Sequence, residues 1–297
     1  MSKRLENKEE TMDQKKPPTA EIETISLGEK VAAAKQDSLP RRDFLKLSLV
    51  GLAATVVPAV AYKKNRAGKR EGEESPHSWA MVIDQAKCVG CNHCTMACRA
   101  HNDVSPDMAW TRISEDEEEG TFLPIPCMHC ENPPCVHVCP VSATYHRADG
   151  IIMMDYDRCI GCRYCEMACP YSSRVFNWEA FTEPNPAVPT WGVPDVPRRP
   201  RCVVEKCTFC VERLDRGLAN GLMPGVDQAA TPACVVACPT GARMFGDLND
   251  PESSVSRALA RYPSFRLREG LGTGPRVYYL PPRDKEKRFE NEEEGCS

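Results

Sequence analysis

Cys159, Cys162, Cys165 and Cys169, followed by Pro170, form a C-x2-C-x2-C-x3-C-P run, and the same cysteine spacing occurs 71 residues earlier at Cys88, Cys91, Cys94 and Cys98. Thiolates are soft ligands that select iron–sulfur clusters, zinc or cuprous copper over oxygen-seeking cations. In this spacing three thiolates on a tight loop reach three irons of one cubane. The fourth, carried on the helix that follows, points away and ligates a neighbouring cluster, so a second cluster must lie close by. Two further quartets vary the pattern: Cys127, Cys130, Cys135 and Cys139 are spaced C-x2-C-x4-C-x3-C, and Cys207 and Cys210 are followed after 23 residues by Cys234 and Cys238. Both variants end in Cys-Pro with an alanine three residues after the proline, Ala143 and Ala242, and read as a second duplicated element. Sixteen thiolates suffice for four cubane clusters, and Cys202 and Cys296 are left over from the total of 18.

Zinc is the main alternative, since zinc ribbons also use C-x2-C pairs, with four ligands on two knuckles around one tetrahedral ion. A third cysteine two residues on, a fourth on the helix behind it and a proline after the last ligand fit the iron–sulfur pattern instead. A disulfide framework is disfavoured because cysteines this close in sequence are poorly placed to bridge each other. No C-x2-C pair precedes a histidine, so covalent haem is not expected. No nucleophile–base–acid constellation, glycine-rich phosphate loop or open metal site points to a catalytic centre, leaving one-electron transfer as the chemistry. Gly270, Gly272 and Gly274 imitate a dinucleotide loop, but Pro275 and the strand-like Val277–Leu280 follow where a helix should start, so a turn is expected.

The elements that must position these thiols repeat with them. Trp79–Asp84 is a short apolar strand, Gln85–Lys87 a turn, and the first cysteine run follows; Ile151–Asp155 repeats the strand ahead of the second run. Asp84 matches Asp155, Lys87 matches Arg158, Gly90 matches Gly161, and Met96-Ala97 matches Met167-Ala168. The chain contains a duplication. The expected fold is α+β: two intertwined, pseudo-symmetric ferredoxin-like halves with loop-rich cluster-binding motifs. Residues 176–201 carry six prolines with Trp178 and Trp191, an extended strap that either packs on its own domain or covers a partner. The acidic run Glu115–Glu119 reads as a solvated loop.

The net charge of −4 gives no sign of a nucleic-acid partner. Residues 1–39 are charged and polar without apolar periodicity and read as a disordered leader. Arg41 and Arg42 then precede an apolar run from Leu47 to Ala61 that ends in Ala59-Val60-Ala61, the layout of a bacterial twin-arginine export signal cleaved after Ala61. The alternative is a retained anchor, but the run contains Pro58 and falls short of the roughly 20 apolar residues a spanning helix needs. Twin-arginine export carries folded proteins, so clusters can be inserted in the reducing cytoplasm before the thiols meet an oxidising periplasm. The organisation expected is a signal region at 1–61, a flexible linker at 62–77, a cluster domain at 78–281 and a charged tail at 282–297.

The four quartets in this order, with Val204-Glu205-Lys206-Cys207-Thr208-Phe209-Cys210 opening the last, resemble the four-cluster ferredoxin-type subunit of the molybdopterin oxidoreductases. Its members serve dimethyl sulfoxide, polysulfide and tetrathionate reductases and related sulfur-metabolism membrane complexes. The resemblance covers about residues 78–281 and is specific for the family, not for a substrate. It implies that Cys88, Cys91 and Cys94 share a cluster with Cys238, and that Cys98 joins Cys207, Cys210 and Cys234. It implies likewise that Cys127, Cys130 and Cys135 share one with Cys169, and that Cys139 joins Cys159, Cys162 and Cys165. Some relatives replace a ligand of the third quartet and hold a three-iron cluster; Cys162 is present here, so four [4Fe-4S] clusters are expected. The implied function is an electron-transfer subunit of a respiratory complex, between a quinone-interacting membrane subunit and a redox partner. That partner is a molybdopterin catalytic subunit or, in a sulfite-reduction-linked complex without one, cytochrome and further iron–sulfur subunits.

Among the accessories, Cys202 is expected to be a buried structural thiol, since free cysteines behave as small hydrophobes, and Cys296 a bystander. His93, His129 and His137 stand beside ligands and either donate hydrogen bonds to them or simply pack. Lys87, Arg99, Arg158 and Lys206 flank ligands and could stabilise a reduced cluster, although a solvated face is the simpler reading for each. Replacing Arg41 and Arg42 by lysine should leave the protein in the cytoplasm, as read by cell fractionation, because the paired guanidinium groups carry the export signal.

Overall fold

The structure, a computed structural model, describes residues 74–116 and 120–283. The signal region, most of the linker, Cys296 and nearly all of the charged tail lie outside the described residues. In chain order the elements are β1 (Trp79–Asp84), α1 (His93–His101), β2 (Arg112–Asp116), β3 (Thr121–Ile125), α2 (Pro134–His137), β4 (Thr144–His146), β5 (Ile152–Met154), α3 (Tyr164–Met167), β6 (Val175–Phe176), β7 (Val204–Glu205), α4 (Val211–Ala219), α5 (Ala233–Val236), β8 (Arg243–Asp247), α6 (Ser254–Arg261) and β9 (Val277–Leu280). The fold is a mixture of short helices and small sheets. No helix among the described residues is long and apolar enough to cross a membrane.

β1 is buried along its whole length, which is why its sequence is continuously apolar rather than alternating. It is the central strand of a three-stranded sheet, antiparallel to β8 and parallel to β9. Val82 faces α6, where it packs with Val255, Ala258 and Leu280. Trp79, Met81 and Ile83 point the other way, into the main core with Phe209, Phe245 and Tyr279. Cys94, Cys98, Cys127, Cys130, Cys207 and Cys234 belong to that same core, so the thiols are packed where other proteins place aliphatic side chains.

The local layout around β1 recurs around β5. Asp84 donates its backbone N–H to the carbonyl of Ala242 at 2.8 Å, and Asp155 donates to that of Ala143 at 2.7 Å. Each aspartate then closes the following turn with its side chain: Asp84 accepts from the N–H of Ala86, and Asp155 from those of Asp157 and Arg158. Each strand leading into a cysteine run is thus paired with the strand that follows a Cys-Pro, β1 with the distant β8 and β5 with the adjacent β4. The glycines at 270–274 form a 3-10 turn over Glu269–Leu271 and lead directly into β9, with no helix.

The proline-rich strap packs on its own domain. Asp195 accepts hydrogen bonds from Arg213 and Arg216 of α4 and meets the His101 ring at 2.7 Å; Arg198 pairs with Asp103, and Trp191 stacks edge-on to His93. Arg199 is buried against Glu205, whose carboxylate also accepts from Trp110 and Asn177. Burial still raises the pKa of Glu205, against the pull of Arg199.

Cys202 is not the buried thiol expected. It is exposed, and its φ of +68° is a left-handed conformation that favours glycine. The reason is the close approach of its carbonyl oxygen to Gly161: a Cβ there would collide with it, so the chain turns its backbone inward and its side chain outward.

Arg199→Met leaves Glu205 buried without its counter-charge. It should cost about 3–5 kcal/mol, read as an earlier urea midpoint and as new protease cuts within the strap. Adding Glu205→Leu should recover much of that loss.

Candidate metal centre

The four cysteine loops share a backbone device. The residue before the second cysteine has positive φ in every one: Gly90 (+69°), His129 (+43°), Gly161 (+68°) and Phe209 (+56°). Asn92, Arg163 and Cys210, the residues that start the following helices, are also left-handed. Alternating handedness of this kind turns successive N–H groups into one concavity, an anion-binding nest of the sort found around iron–sulfur sites. Phe209 donates its N–H toward the Cys207 sulfur at 3.5 Å and Ala143 toward that of Cys139 at 3.2 Å. His129 and Phe209, in the two loops without glycine, stack on each other with ring centroids 3.7 Å apart.

Cys88, Cys91, Cys94 and Cys238 line one cavity, with ≈ 310 Å³ of free space partly open to solvent. Cys127, Cys130, Cys135 and Cys169 line a second of the same size. Cys98 lies against Cys207, Cys210 and Cys234, and the Asn102 amide reaches both the Cys98 sulfur (3.6 Å) and the Cys210 sulfur (3.7 Å). Cys139, Cys165 and Cys159 share a small core around Ile152 and Val204, and Cys162 is exposed on the same loop.

Successive sets adjoin as a series: Cys94 of the first set shares the main core with Cys98, Cys207 and Cys234 of the second and with Cys127 and Cys130 of the third, and Cys135 of the third shares the smaller core with Cys139, Cys159 and Cys165 of the fourth. Cys91 and Cys162, at the two ends, are exposed, whereas Cys98, Cys207, Cys210, Cys234, Cys127, Cys130 and Cys135 are buried.

The donor set fits a polynuclear iron–sulfur group. Four thiols around one cavity are the ligand set a cubane takes, one thiolate to each iron. Two buried polar atoms beside the ligand loops, His129 Nε2 and Thr208 Oγ1, have no protein partner, as suits donors to cluster sulfur. The thiols would be poor anions by themselves. Burial, then the charges of Cys207, Cys210 and Cys234, push Cys98 far up; burial takes Cys210 up to about 12 and Cys165 up to about 11. A positive metal core reverses that penalty. Cys238 is the opposite case: burial raises it, but hydrogen bonds from the Thr240 hydroxyl and nearby backbone N–H groups outweigh burial and lower its pKa.

The solvated face expected for Lys206 is wrong. The side chain is fully buried and its Nζ donates to the carbonyls of Ile152 and Cys207. Lys87 and Arg158 are exposed, and Arg99 is half-buried, donating to the Pro106 carbonyl. His137 is exposed, and His129 is buried and held neutral by burial, accepting from the Ile152 N–H through Nδ1. Sequence reasoning missed two buried arginines, Arg174 and Arg243. A signal was present: each stands five residues after the last cysteine of a Cys-Pro pair, Cys169 and Cys238.

Comparison with known proteins agrees with this donor set. A family model described as a 4Fe-4S dicluster domain matches residues 118–183. The chain is 42% identical over 234 residues to the menaquinone reductase iron–sulfur cluster-binding subunit of Nitratidesulfovibrio vulgaris, covering 71% of this chain and 91% of that one. It is 36% identical over 212 residues to a polysulfide reductase subunit of Wolinella succinogenes, covering 68% and 94% respectively. The chain belongs to the family of iron–sulfur subunits of respiratory reductases. Another relative, a selenate reductase subunit of Mesobacillus selenatarsenatis, is 39% identical over 278 residues, 87% of this chain and 89% of the relative.

Gly161→Ala forces a Cβ against the Cys202 backbone at a left-handed position. It should lower the protein's bound iron by metal analysis, while Gly221→Ala, in open space, should leave iron content unchanged.

Proposed function

We propose that this chain is the electron-transfer subunit of a membrane-associated respiratory oxidoreductase complex. It relays electrons between a quinone-linked membrane subunit and a redox partner. The observation that carries this reading is the series of four adjoining cysteine sets, which reaches the surface at Cys91 in the first and at Cys162 in the fourth. A protein that only stored or sensed electrons would have no need of two separate ends.

On this reading residues 78–281 are one cluster domain made of two pseudo-symmetric ferredoxin-like halves. The recurrence of the β1–β8 layout at β5–β4 supports that description. Four [4Fe-4S] clusters are held by Cys88, Cys91, Cys94 and Cys238; by Cys98, Cys207, Cys210 and Cys234; by Cys127, Cys130, Cys135 and Cys169; and by Cys139, Cys159, Cys162 and Cys165. When bound, each supplies one-electron storage at a potential set by its surroundings. The chain's own contribution is to hold the thiolates apart at fixed spacing, to aim backbone N–H groups at sulfur and to bury all four thiols of the second set. The partner on the far side is a molybdopterin catalytic subunit or, in a sulfur-metabolism complex without one, cytochrome and iron–sulfur subunits. With export directed by Arg41 and Arg42, the subunit works in the periplasm, peripheral to the inner membrane.

The test is purification of the intact complex from membranes. About sixteen irons per chain, a co-purifying integral membrane subunit and cluster reduction by a quinol analogue are expected. Stoichiometric zinc in place of iron, or iron that no quinol and no co-purifying protein can reduce or oxidise, would overturn the proposal.

A further inference from the structure

Three buried cations stand at the places where successive cysteine sets meet. Arg243 lines the cavity of Cys88, Cys91, Cys94 and Cys238, and its nearest sulfur charges are Cys234 of the second set and Cys94 of the first. Its guanidinium donates to the Thr111 hydroxyl at 2.9 Å and contacts the Met81 sulfur. Lys206 lies between the second and third sets: Cys127 and Cys207 are the thiolates that act on it most, and its Nζ donates to the Cys207 carbonyl at 2.8 Å. Arg174 lines the cavity of Cys127, Cys130, Cys135 and Cys169, and its leading sulfur neighbours are Cys135 of the third set and Cys165 of the fourth. It donates to the Thr144 hydroxyl at 2.6 Å and contacts the Met154 sulfur. All three side chains are buried.

None of the three pairs with a carboxylate among the described residues. The contrast is Arg199, equally buried, which has Glu205 at 3.2 Å. A guanidinium cannot shed its proton, so Arg174 and Arg243 stay charged, and an unanswered charge in a protein interior is costly. Among the described residues, the ligand thiolates are the leading negative groups around Arg243 and Arg174. A cation placed at a junction acts on both neighbours, and a buried one is screened less than one on the surface.

We infer that Arg243 and Arg174 are fixed charges, at the first and third junctions of the series, and that each raises the reduction potentials of the two clusters flanking it. An added electron makes a cluster more negative, so a nearby cation stabilises the reduced form. Because each cation lies between two sets, it favours the electron on either side of its junction. These are positioning residues, acting through the clusters. The inference rests on the four-cluster reading above.

The experiment is a redox titration of the intact complex followed by EPR, with iron per chain measured on the same samples. Cys91→Ser and Cys162→Ser identify the signals of the first and fourth sets. Arg243→Gln should move the first two clusters to more negative potential and leave the fourth in place; Arg174→Gln should move the last two and leave the first. Arg243→Lys and Arg174→Lys, which keep the charge, should stay at the wild-type potentials. Full iron with unmoved potentials in the glutamine variants, or an equal shift of all four clusters, overturns the inference. If a glutamine variant loses iron, retention of iron and potential by its lysine counterpart upholds a charge role, and loss in both overturns it in favour of packing. A wild-type complex with fewer than four clusters would instead defeat the functional reading, and the iron count alone reveals that.

Discussion

Negative charge gathered on sulfur inside a small core is the condition that the rest of this molecule answers. Each thiol added to the interior makes its neighbours harder to ionise, as the rise of Cys98 under the influence of Cys207, Cys210 and Cys234 illustrates. The helices that carry the ligands cannot hold the arrangement by themselves: α2, α3 and α5 are single turns of four residues, far below the length at which a helix is stable alone. On the proposed reading, metal–thiolate bonds do the work that aliphatic packing does elsewhere, and folding and metal loading become one event. The left-handed residues before each second cysteine and the buried cations at the junctions then serve the same end, which is to make the interior tolerable for an anion.

Much of the site was legible because ligand chemistry leaves rigid spacings. The cysteine quartets, the strand before each run and the matched Asp84 and Asp155 could be read from local pattern. The structure shows why those aspartates recur: each closes the turn that aims the first cysteine. The alanines Ala143 and Ala242 were visible as a repeat, but their role was not, since it is a backbone bond to the aspartate of a paired strand, Asp155 and Asp84 respectively.

What escaped was whatever depended on distant neighbours. A lysine beside a cysteine looks the same in sequence whether it faces water or, like Lys206, two backbone carbonyls in the core. Arg174 and Arg243 share an offset from a cysteine, yet nothing local says that the offset leads inward. Cys202 was misjudged because its chemistry suggested burial, whereas its position demanded a left-handed backbone pressed against Gly161. The strap was ambiguous for the opposite reason: prolines announce an extended segment but not the surface it will meet, and here that surface is α1 and α4 of its own domain.

The pairing of β1 carries a consequence for how the protein is made. The first strand of the described domain has no partner among its sequence neighbours; it is flanked by β8 and β9, near the other end of the chain. Closing such a long loop is slow relative to local contacts, so the sheet belongs to the late stages of folding. On a ribosome, which releases the chain from its N-terminus, β1 and the cysteine run behind it must wait, unpaired, until β8 and β9 have emerged. The cell therefore has to shelter a set of bare thiols through most of translation, and completion of the last strands is the moment at which that exposure ends.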